Sequence, residues 1–593
     1  MASVRFAEDR SWAASTLPSF VGKSKSLRAL LPRRSGGGAA ATGDDDDGAA
    51  RSDAPGRRGG VEPRDPPEAG GPGPGSLPRP PAASATAPSS ADAVSGYNDK
   101  GNEFFGRGAY DAALRMYGEA LRLLRSDAPL EGGGPAAASP ALRRCLTARC
   151  LANVGAVHIR RGEHDAAATA LEQAVRQASL VLSRGSGAHY RRSREVFADG
   201  TEHLGLVAFR RGELDQADAL YAQALQARRQ CLDLLDRKAR PWPRGGLGRA
   251  GEAARALARE ERGAALLDLS VTLLYVALLR EKQGRPADAV ARVEEALRKR
   301  RDVIPDARDD PQTLHLCATA GRLYCHDEVA RHRDALGCFH EVHRLQCDRH
   351  GRDHLAVVPS LNRIALLYHR LGEHEKCVAL ADQAVDIAAA GRGLNQETVD
   401  AYAHRAAAQS ALGDHDRAAA SYAAALAAQD RLCLPPDDPR HAALRERLAA
   451  AHRAAGDRDR AADVQADALA AWRRSAGPDD VRTARACATL GDDHAARGDA
   501  AAAVRAHTRA LRIFKHKVGE SGGGGGGGED DEHARDIAVA HNRIAAVLKG
   551  DGDRHRAMEH YVAALRHARE ARLPSMDPVV ADTIKNVVAF QKC

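Results

Sequence analysis

Residues 361–387 read Leu361-Asn-Arg-Ile-Ala365-Leu-Leu-Tyr-His-Arg-Leu-Gly372-Glu-His-Glu-Lys-Cys377-Val-Ala-Leu-Ala-Asp-Gln-Ala384-Val-Asp-Ile387. Two apolar helical patterns flank a single glycine, Gly372. Small residues stand seven positions before that glycine (Ala365) and five and twelve positions after it (Cys377 and Ala384). Because small side chains let two antiparallel helices approach closely, the stretch predicts a helical hairpin.

The hairpin pattern recurs along most of the chain. The residue seven before the turn glycine is Gly or Ala in every copy, the residue five after it is Ala or Cys, and the residue twelve after it is always Ala. The turn glycines of these copies are Gly108, Gly162, Gly212, Gly284, Gly372, Gly413, Gly456, Gly498 and Gly552. A tenth copy, with Gly321, Tyr324, Ala335 and Phe339, has a turn about two residues longer and no turn glycine. One hairpin cannot bury its own apolar face, so repetition predicts a stack of hairpins.

The columns of small residues resemble those of the tetratricopeptide family of helix-turn-helix repeats, as do Tyr117, Tyr221, Tyr422 and Tyr561 on the second helices. The longer spacing from Gly372 to Gly498, the Leu361-Asn-x-Ile-Ala-x-x-Tyr368 pattern and linkers rich in Gly, Pro and Asp resemble the kinesin light chain subtype. The resemblance covers roughly residues 97–573 and implies an all-α fold. The expected architecture is a right-handed superhelical solenoid of about ten hairpins.

These patterns divide the chain into five parts. Residues 1–96 are rich in Gly, Pro, Ser and Ala and predict a disordered arm, because such a composition cannot bury enough apolar surface to fold. Repeats one to three are predicted over 97–235, an insertion over 236–262, and repeats four to ten over 263–573, interrupted by a poly-Gly tract at 522–528. A final amphipathic helix in 574–593 is expected to cap the open end of the stack.

The composition narrows the class of partner and compartment. The 87 basic and 79 acidic residues give a net charge of +8, too small an excess on 593 residues to indicate nucleic-acid binding. The 11 cysteines have no paired spacing, which favours a reducing compartment. No apolar run has the length of a membrane span; the best, 266–279, contains Asp268. We expect a cytoplasmic protein, with organelle import as the alternative because residues 10–34 lack acids and are rich in Ser and Arg.

No motif in the sequence predicts catalysis or a cofactor. Gly246-Leu-Gly-Arg-Ala-Gly251 has the spacing of a dinucleotide fingerprint, but Pro241 and Pro243 precede it where a strand is required. The densest group of possible metal ligands lies in repeat five: Cys338, His340, His343, Cys347, His350 and His354. The spacing of Cys347, His350 and His354 could place three ligands on one helical face, whereas solvated or packed histidines are the simpler interpretation. We therefore expect a non-catalytic chain without a cofactor or metal.

In the resembled family the first helix of each hairpin lines a concave groove, with inward positions ten, nine, six, three and two before the turn glycine. Applied to repeats six, eight and ten, that geometry predicts a partner-binding groove formed by Asn362, Arg363, Arg370, Arg447, Arg453, Asn542, Arg543 and Lys549. Repeat seven adds His404, and repeat nine departs from the trend with Asp492. Several guanidiniums in one trough would attract acidic extended peptides, and the asparagines would hold the peptide backbone, as asparagines do in kinesin light chains. Alternatively, the arginines only solvate the helix face.

Repeat one resembles a second kind of repeat module, the co-chaperones that clamp a carboxy-terminal carboxylate. Asn102 and Asn153 match the two asparagines of that clamp, but its basic positions hold Asn98, Asp199 and His203. Carboxylate capture is therefore not expected.

The resemblance implies a scaffold or adaptor that binds other proteins, with a kinesin heavy chain as one possible partner. Light chains bind the heavy chain through a heptad coiled coil, and residues 1–96 contain no heptads. A generic scaffold in a signalling, ciliary or organelle assembly, and a regulatory subunit of an enzyme, are the alternatives. Neither nucleic acid nor membrane is expected as a partner.

Overall fold

The computed structural model describes residues 90–126, 140–184, 189–239, 249–304, 310–391, 395–432, 438–520, 528–570, 573–574 and 576–591. Within these ranges the chain is all-α: it forms 21 α-helices and one short 3-10 helix, with no strand. The chain divides into two compact units, which meet in sequence after Leu279.

The first unit contains helices α1 (Ser90–Gly106), α2 (Tyr110–Arg125), α3 (Pro140–Arg161), α4 (His164–Leu182), α5 (Tyr190–Arg211), α6 (Leu214–Ala239) and most of α7 (Arg249–Lys282). The second contains α8 (Pro286–Arg301), α9 (Pro311–Tyr324), α10 (His332–His350), the 3-10 helix (Leu355–Val357), α11 (Val358–Arg370), α12 (His374–Ala390), α13 (Gln396–Ala411), α14 (His415–Arg431), α15 (Pro439–Ala454), α16 (Arg458–Ser475), α17 (Val481–Arg497), α18 (Ala500–Glu520), α19 (Gly528–Gly550), α20 (Arg554–Glu570) and α21 (Pro578–Gln591). Odd-numbered helices up to α19 are the first helices of the ten repeats, and even-numbered ones are the second.

The turn glycines end the first helices in the left-handed region. Gly372 has φ 80° and Gly498 has φ 84°, and the other seven predicted turn glycines lie between 73° and 88°. An L side chain rarely adopts this conformation, which explains the glycine at this column. In repeat five, whose turn lacks the glycine, the positive φ falls on Ala330 at 49°.

The column seven residues before the turn is where the two helices of a hairpin cross. A Cβ added to Gly101 would lie 2.5 Å from the Tyr117 ring, one on Gly155 2.5 Å from Leu171, and one on Gly491 2.6 Å from the His507 ring. These glycines therefore make room for a large side chain of the second helix, as the small-residue pattern predicts.

The structure changes two predicted boundaries. The predicted arm of 1–96 ends earlier, because α1 begins at Ser90; residues 1–89 lie outside the described part of the chain. The predicted insertion of 236–262 is largely helical, since α6 continues to Ala239 and α7 begins at Arg249. Residues 249–262 are rich in Ala, Glu and Arg, which favour helix, and this composition outweighs the Gly and Pro just before them. Only residues 240–248 remain between the helices, and they are outside the described ranges, as are 521–527 of the poly-Gly region.

Helix α7 contains the one described segment, Ala256–Lys282, that is long and apolar enough to cross a membrane by length and composition. Buried core helices pass the same test, and 67% of its apolar window is buried within the protein. Tyr275 of α7 stacks on Tyr221 of α6, with ring centroids 5.7 Å apart and planes at 1°. The helix thus packs as part of a repeat.

The terminal helix α21 follows the last repeat, as expected of a cap. Val580 is buried with Ala538 and Ala568 of repeat ten, and Val579 packs against the same cluster. Ile584 and Val588 on the same helix remain 44% and 43% exposed.

Candidate ligand groove on the first helices

Three consecutive first helices place a basic side chain at the same position, nine residues before the turn glycine. These residues are Arg363 on α11, His404 on α13 and Arg447 on α15, and we call them the basic groove. Helices α11 and α13 are in direct contact. Burial lowers the pKa of His404 to about 3, and the charges of Arg363, Arg447 and His369 add to that effect. A neutral imidazole therefore lies close to two guanidiniums.

The two arginines of the basic groove differ in their surroundings. Arg447 is exposed, and no ion pair or hydrogen bond to its side chain occurs in the described part of the chain. Arg363 is half-buried and already interacts with other protein groups. Arg370, also predicted to face the groove, donates through Nη1 to the carbonyl oxygen of Cys325 at 3.3 Å. Arg447 is thus the cation most available to a ligand.

Further along the same face, three predicted groove cations, Arg453 of repeat eight and Arg543 and Lys549 of repeat ten, are bonded to other side chains. Arg453 donates to both carboxylate oxygens of Asp493, at 2.6 and 2.9 Å, and Asp493 is only 3% exposed. Arg543 pairs with Asp492 at 3.1 Å. Lys549 donates to the amide oxygen of Asn586 on α21 at 3.2 Å. We call Arg453, Asp492, Asp493 and Arg543 the neutralised segment.

The predicted backbone-binding asparagines do not lie on an open surface. Asn362 is 2% exposed, and its Nδ2 donates to the carbonyl oxygen of Glu397 at 2.7 Å and to its carboxylate at 2.8 Å. Asn362 therefore joins α11 to the first turn of α13, where its amide nitrogen is engaged by Glu397. The column ten before the turn is also buried at Asn98 and Glu202, so it faces the neighbouring repeat. Asn542 is half-buried, and its Oδ1 has no hydrogen-bond partner among the described residues.

The Cys and His residues of repeat five are dispersed among packing contacts. His343 Nδ1 lies 3.1 Å from the Ser360 hydroxyl, and its Nε2 lies 3.5 Å from the Cys347 Sγ. His354 accepts a hydrogen bond from the backbone N–H of Ala356 and caps the 3-10 helix. The described residues include no group of three or more His, Cys, Asp or Glu that could hold a metal ion. The contacts of His343 and His354 are those of histidines that pack against neighbouring protein groups.

Repeats two to four contain a buried charged cluster that the sequence patterns did not indicate. Arg149 of α3 pairs with Asp199 of α5 at 2.6 Å. Arg228 of α6 pairs with Asp199 at 2.8 Å and with Glu202 at 3.4 Å. Burial raises the pKa of Glu202 to about 7. Because these opposite charges pair with one another between helices of adjacent repeats, we assign the cluster to packing between repeats.

The asparagines that match the carboxylate clamp also bond to protein groups. Asn153 Nδ2 donates to Asn98 Oδ1 at 2.8 Å and to Asn102 Oδ1 at 3.2 Å. The Tyr117 hydroxyl donates to Asn102 Oδ1 at 2.7 Å. These contacts join α1, α2 and α3.

Comparison with known families identifies the repeats. Tetratricopeptide repeat models match residues 147–176, 358–390 and 440–516, which fall in repeats two, six, and eight to nine. These three segments are tetratricopeptide repeats. Such repeats generally bind proteins or peptides and are generally non-catalytic scaffolds. No curated protein sequence matches the chain.

Solved structures with a similar fold include kinesin light chain-like proteins. BtubC (BKLC) from P. vanneervenii is 22% identical, with 42% of this chain and 94% of that chain covered and a TM-score of 0.35. A putative kinesin light chain with nearly identical TPR-like repeats from Podosopora anserina is 19% identical, with 35% and 97% covered and a TM-score of 0.31. The apo form of RapI is 12% identical, with 72% and 98% covered and a TM-score of 0.42. Likenesses at this level carry no argument about what the present chain binds.

Proposed function

We propose that this tetratricopeptide repeat protein is a non-catalytic scaffold whose basic groove binds an acidic, extended peptide segment of a partner protein. The observation that carries the proposal is the alignment of Arg363, His404 and Arg447 on consecutive first helices. The Arg447 guanidinium is exposed and has no ion-pair or hydrogen-bond partner among the described residues. A planar guanidinium binds a carboxylate through two parallel hydrogen bonds, and neighbouring positive charges steer acidic ligands towards the site.

The chemistry assigns a different role to each residue. Arg447 binds a ligand carboxylate. Arg363 keeps its interactions with other groups of the protein and adds its charge to the positive electrostatic potential of the basic groove. His404, whose pKa is lowered to about 3, stays neutral at physiological pH and contributes a hydrogen-bonding ring nitrogen without a charge. Asn362 has no part in this site, because its amide nitrogen already donates hydrogen bonds to Glu397.

A motor-linked cargo adaptor in the cytoplasm is the more specific form of the proposal. It rests on the Leu361-Asn-x-Ile-Ala-x-x-Tyr368 pattern and on the repeat spacing. A scaffold in a signalling, ciliary or organelle assembly, and an enzyme's regulatory subunit, are the other forms. Affinity capture of the full chain followed by mass spectrometry separates them: recovery of a kinesin heavy chain supports the adaptor, and its consistent absence contradicts it.

Titration of a labelled acidic peptide library tests the groove itself. Arg363→Glu together with Arg447→Glu should weaken acidic-peptide binding by about 1–3 kcal/mol, the range for charge-assisted hydrogen bonds. Arg417→Glu is the matched control, since Arg417 lies on the second helix α14, is exposed and pairs with Asp414 at 3.4 Å. Wild-type binding should also weaken with salt, because exposed charges are screened over roughly 8–10 Å at moderate ionic strength. Equal affinity of the double variant and wild type, or a preference for basic peptides, would contradict the proposal.

A further inference from the structure

The second helix of repeat nine, α18, exposes only basic and neutral side chains on its outer face. Arg505, Arg512 and Lys515 are exposed and Arg509 is half-buried; we call these four residues the α18 stripe. Arg505, Arg509 and Arg512 are spaced four and three residues apart, so they follow one side of the helix. The stripe is independent of the basic groove, which lies on first helices.

Helix α18 differs from the other second helices of its unit because no acidic residue precedes its last residue, Glu520. Residues 500–519 contain neither Asp nor Glu. On α10, Arg344 pairs with Asp348, and on α20, Arg556 pairs with Asp553. No member of the α18 stripe forms an ion pair or side-chain hydrogen bond with any residue that the structure describes. Within the described part of the chain, these four neighbouring cations therefore have no acidic partner.

Arg509 provides a second observation. Its Nε is buried, yet it has no hydrogen-bond acceptor within the described ranges. A buried donor without an acceptor costs about 1–3 kcal/mol. The guanidinium is thus partly desolvated, and an incoming acceptor would recover part of that cost.

From these features we infer that the α18 stripe docks an acidic segment of a partner protein. Three of the four cations are arginines, whose planar heads suit carboxylates. Its large apolar side chains, Leu511, Ile513 and Phe514, are at most 7% exposed, so they cannot enter a lipid layer or stack on a base. The repeats are of a type that generally binds proteins.

The spacing along the helix narrows the ligand further. Four residues of helix rise about 6 Å, which is the axial separation of Arg505 from Arg509. Alternate residues of an extended segment lie about 6.6–6.8 Å apart on one side. An extended segment with acids at alternate positions therefore matches the separation of Arg505 from Arg509.

The test is a titration of the full chain with a labelled peptide of alternating glutamate and serine. Fluorescence anisotropy measures the affinity, and calorimetry measures the number of binding sites. Wild type should bind at two sites, the basic groove and the α18 stripe. Arg505→Glu with Arg512→Glu should remove one site, with about a tenfold or greater loss of affinity there, as expected when charge-assisted contacts worth at least about 1.4 kcal/mol are lost. The milder pair Arg505→Gln and Arg512→Gln should give a smaller loss in the same direction, and circular dichroism should show unchanged helix content for both.

Combining variants separates this inference from the proposed function. In a chain with Arg363→Glu and Arg447→Glu, the remaining peptide binding should disappear when Arg505→Glu and Arg512→Glu are added. If the groove proposal fails, wild type shows one site and the α18 variants alone remove it. Unchanged binding in the α18 variants would overturn the inference. An equal loss of peptide affinity in Arg417→Glu would also overturn it. So would binding of duplex DNA or of anionic phosphatidylserine vesicles through the same residues, if it were tighter than the binding of the peptide.

Discussion

The basic groove and the neutralised segment are parts of one repeated surface with opposite electrostatic outcomes. Both place arginines on first helices of the second unit. In the groove, Arg447 has no carboxylate partner among the residues that the structure describes. In the neutralised segment, Arg453 is held by two hydrogen bonds to Asp493, and Arg543 is paired with Asp492.

The difference originates in two consecutive residues of α17. Asp492 and Asp493 point to opposite neighbours, since one pairs with α19 and the other with α15. A single acidic dipeptide thus cancels cations in the repeats on both sides. The position of an arginine in its own repeat decides where the side chain lies, whereas the adjacent repeat decides whether its charge reaches a ligand.

The largest expected effect tests whether the two regions share their packing despite their different charges. Ala365→Leu in the groove region and Gly491→Leu in the neutralised segment should each lower the free energy of unfolding by up to about 3 kcal/mol, because both enlarge a buried helix crossing. Urea denaturation measures the change. Ala495→Leu, on the exposed side of α17, is the control and should stay within about 0.5 kcal/mol of wild type. Unchanged midpoints in both test variants would mean that the repeat register is wrong.

A smaller effect should follow from converting the neutralised segment into a basic one. Asp493→Asn removes the carboxylate that accepts two hydrogen bonds from Arg453, and we expect about 1.5–2 kcal/mol of lost stability. The released guanidinium is 38% exposed and should bind acidic peptide, so affinity should rise while stability falls. Asp459→Asn is the control. The Asp459 side chain is 81% exposed, so its ion pair with Arg497 contributes at most about 1 kcal/mol to stability. Lower stability without a gain in peptide affinity would contradict the electrostatic comparison.

The sequence predicted the fold further than it predicted the site. Columns of small residues and glycines fix helix crossings and turns locally, so the hairpin positions could be derived from spacing alone. Asn362 shows the limit: its column was assigned to the groove, yet the neighbouring repeat covers it and uses its amide. The pairing of Arg453 with Asp493 spans 40 residues, and no pattern within one repeat reveals it. Side chains that meet across repeats are therefore the part that required coordinates.

The smallest expected effect concerns His507, which is buried beneath the neutralised segment. Burial lowers the pKa of His507 to about 4, the nearby Arg543 adds to that effect, and Nε2 lies 3.5 Å from an oxygen of Asp492. In the unfolded chain an imidazole has a pKa near 6.5, so acid protonates the unfolded state first. The stabilising contribution of the neutral ring is thus complete above about pH 6.5 and is lost as pH falls towards 4.

We expect a loss on the order of 1 kcal/mol between pH 7 and pH 5.5, because each pH unit below the unfolded pKa of about 6.5 corresponds to about 1.4 kcal/mol while the folded ring stays neutral. His507→Gln should remove the dependence, and Gln465 occupies the same column of repeat eight at 1% exposure, so the fold accommodates glutamine there. Urea denaturation at pH 7 and pH 5.5 measures both proteins, with His516→Gln, exposed on the same helix, as the control. If wild type and His507→Gln lost equal stability between these pH values, the acid sensitivity would lie elsewhere, and the neutralised segment would owe its charge balance to the aspartates and arginines alone.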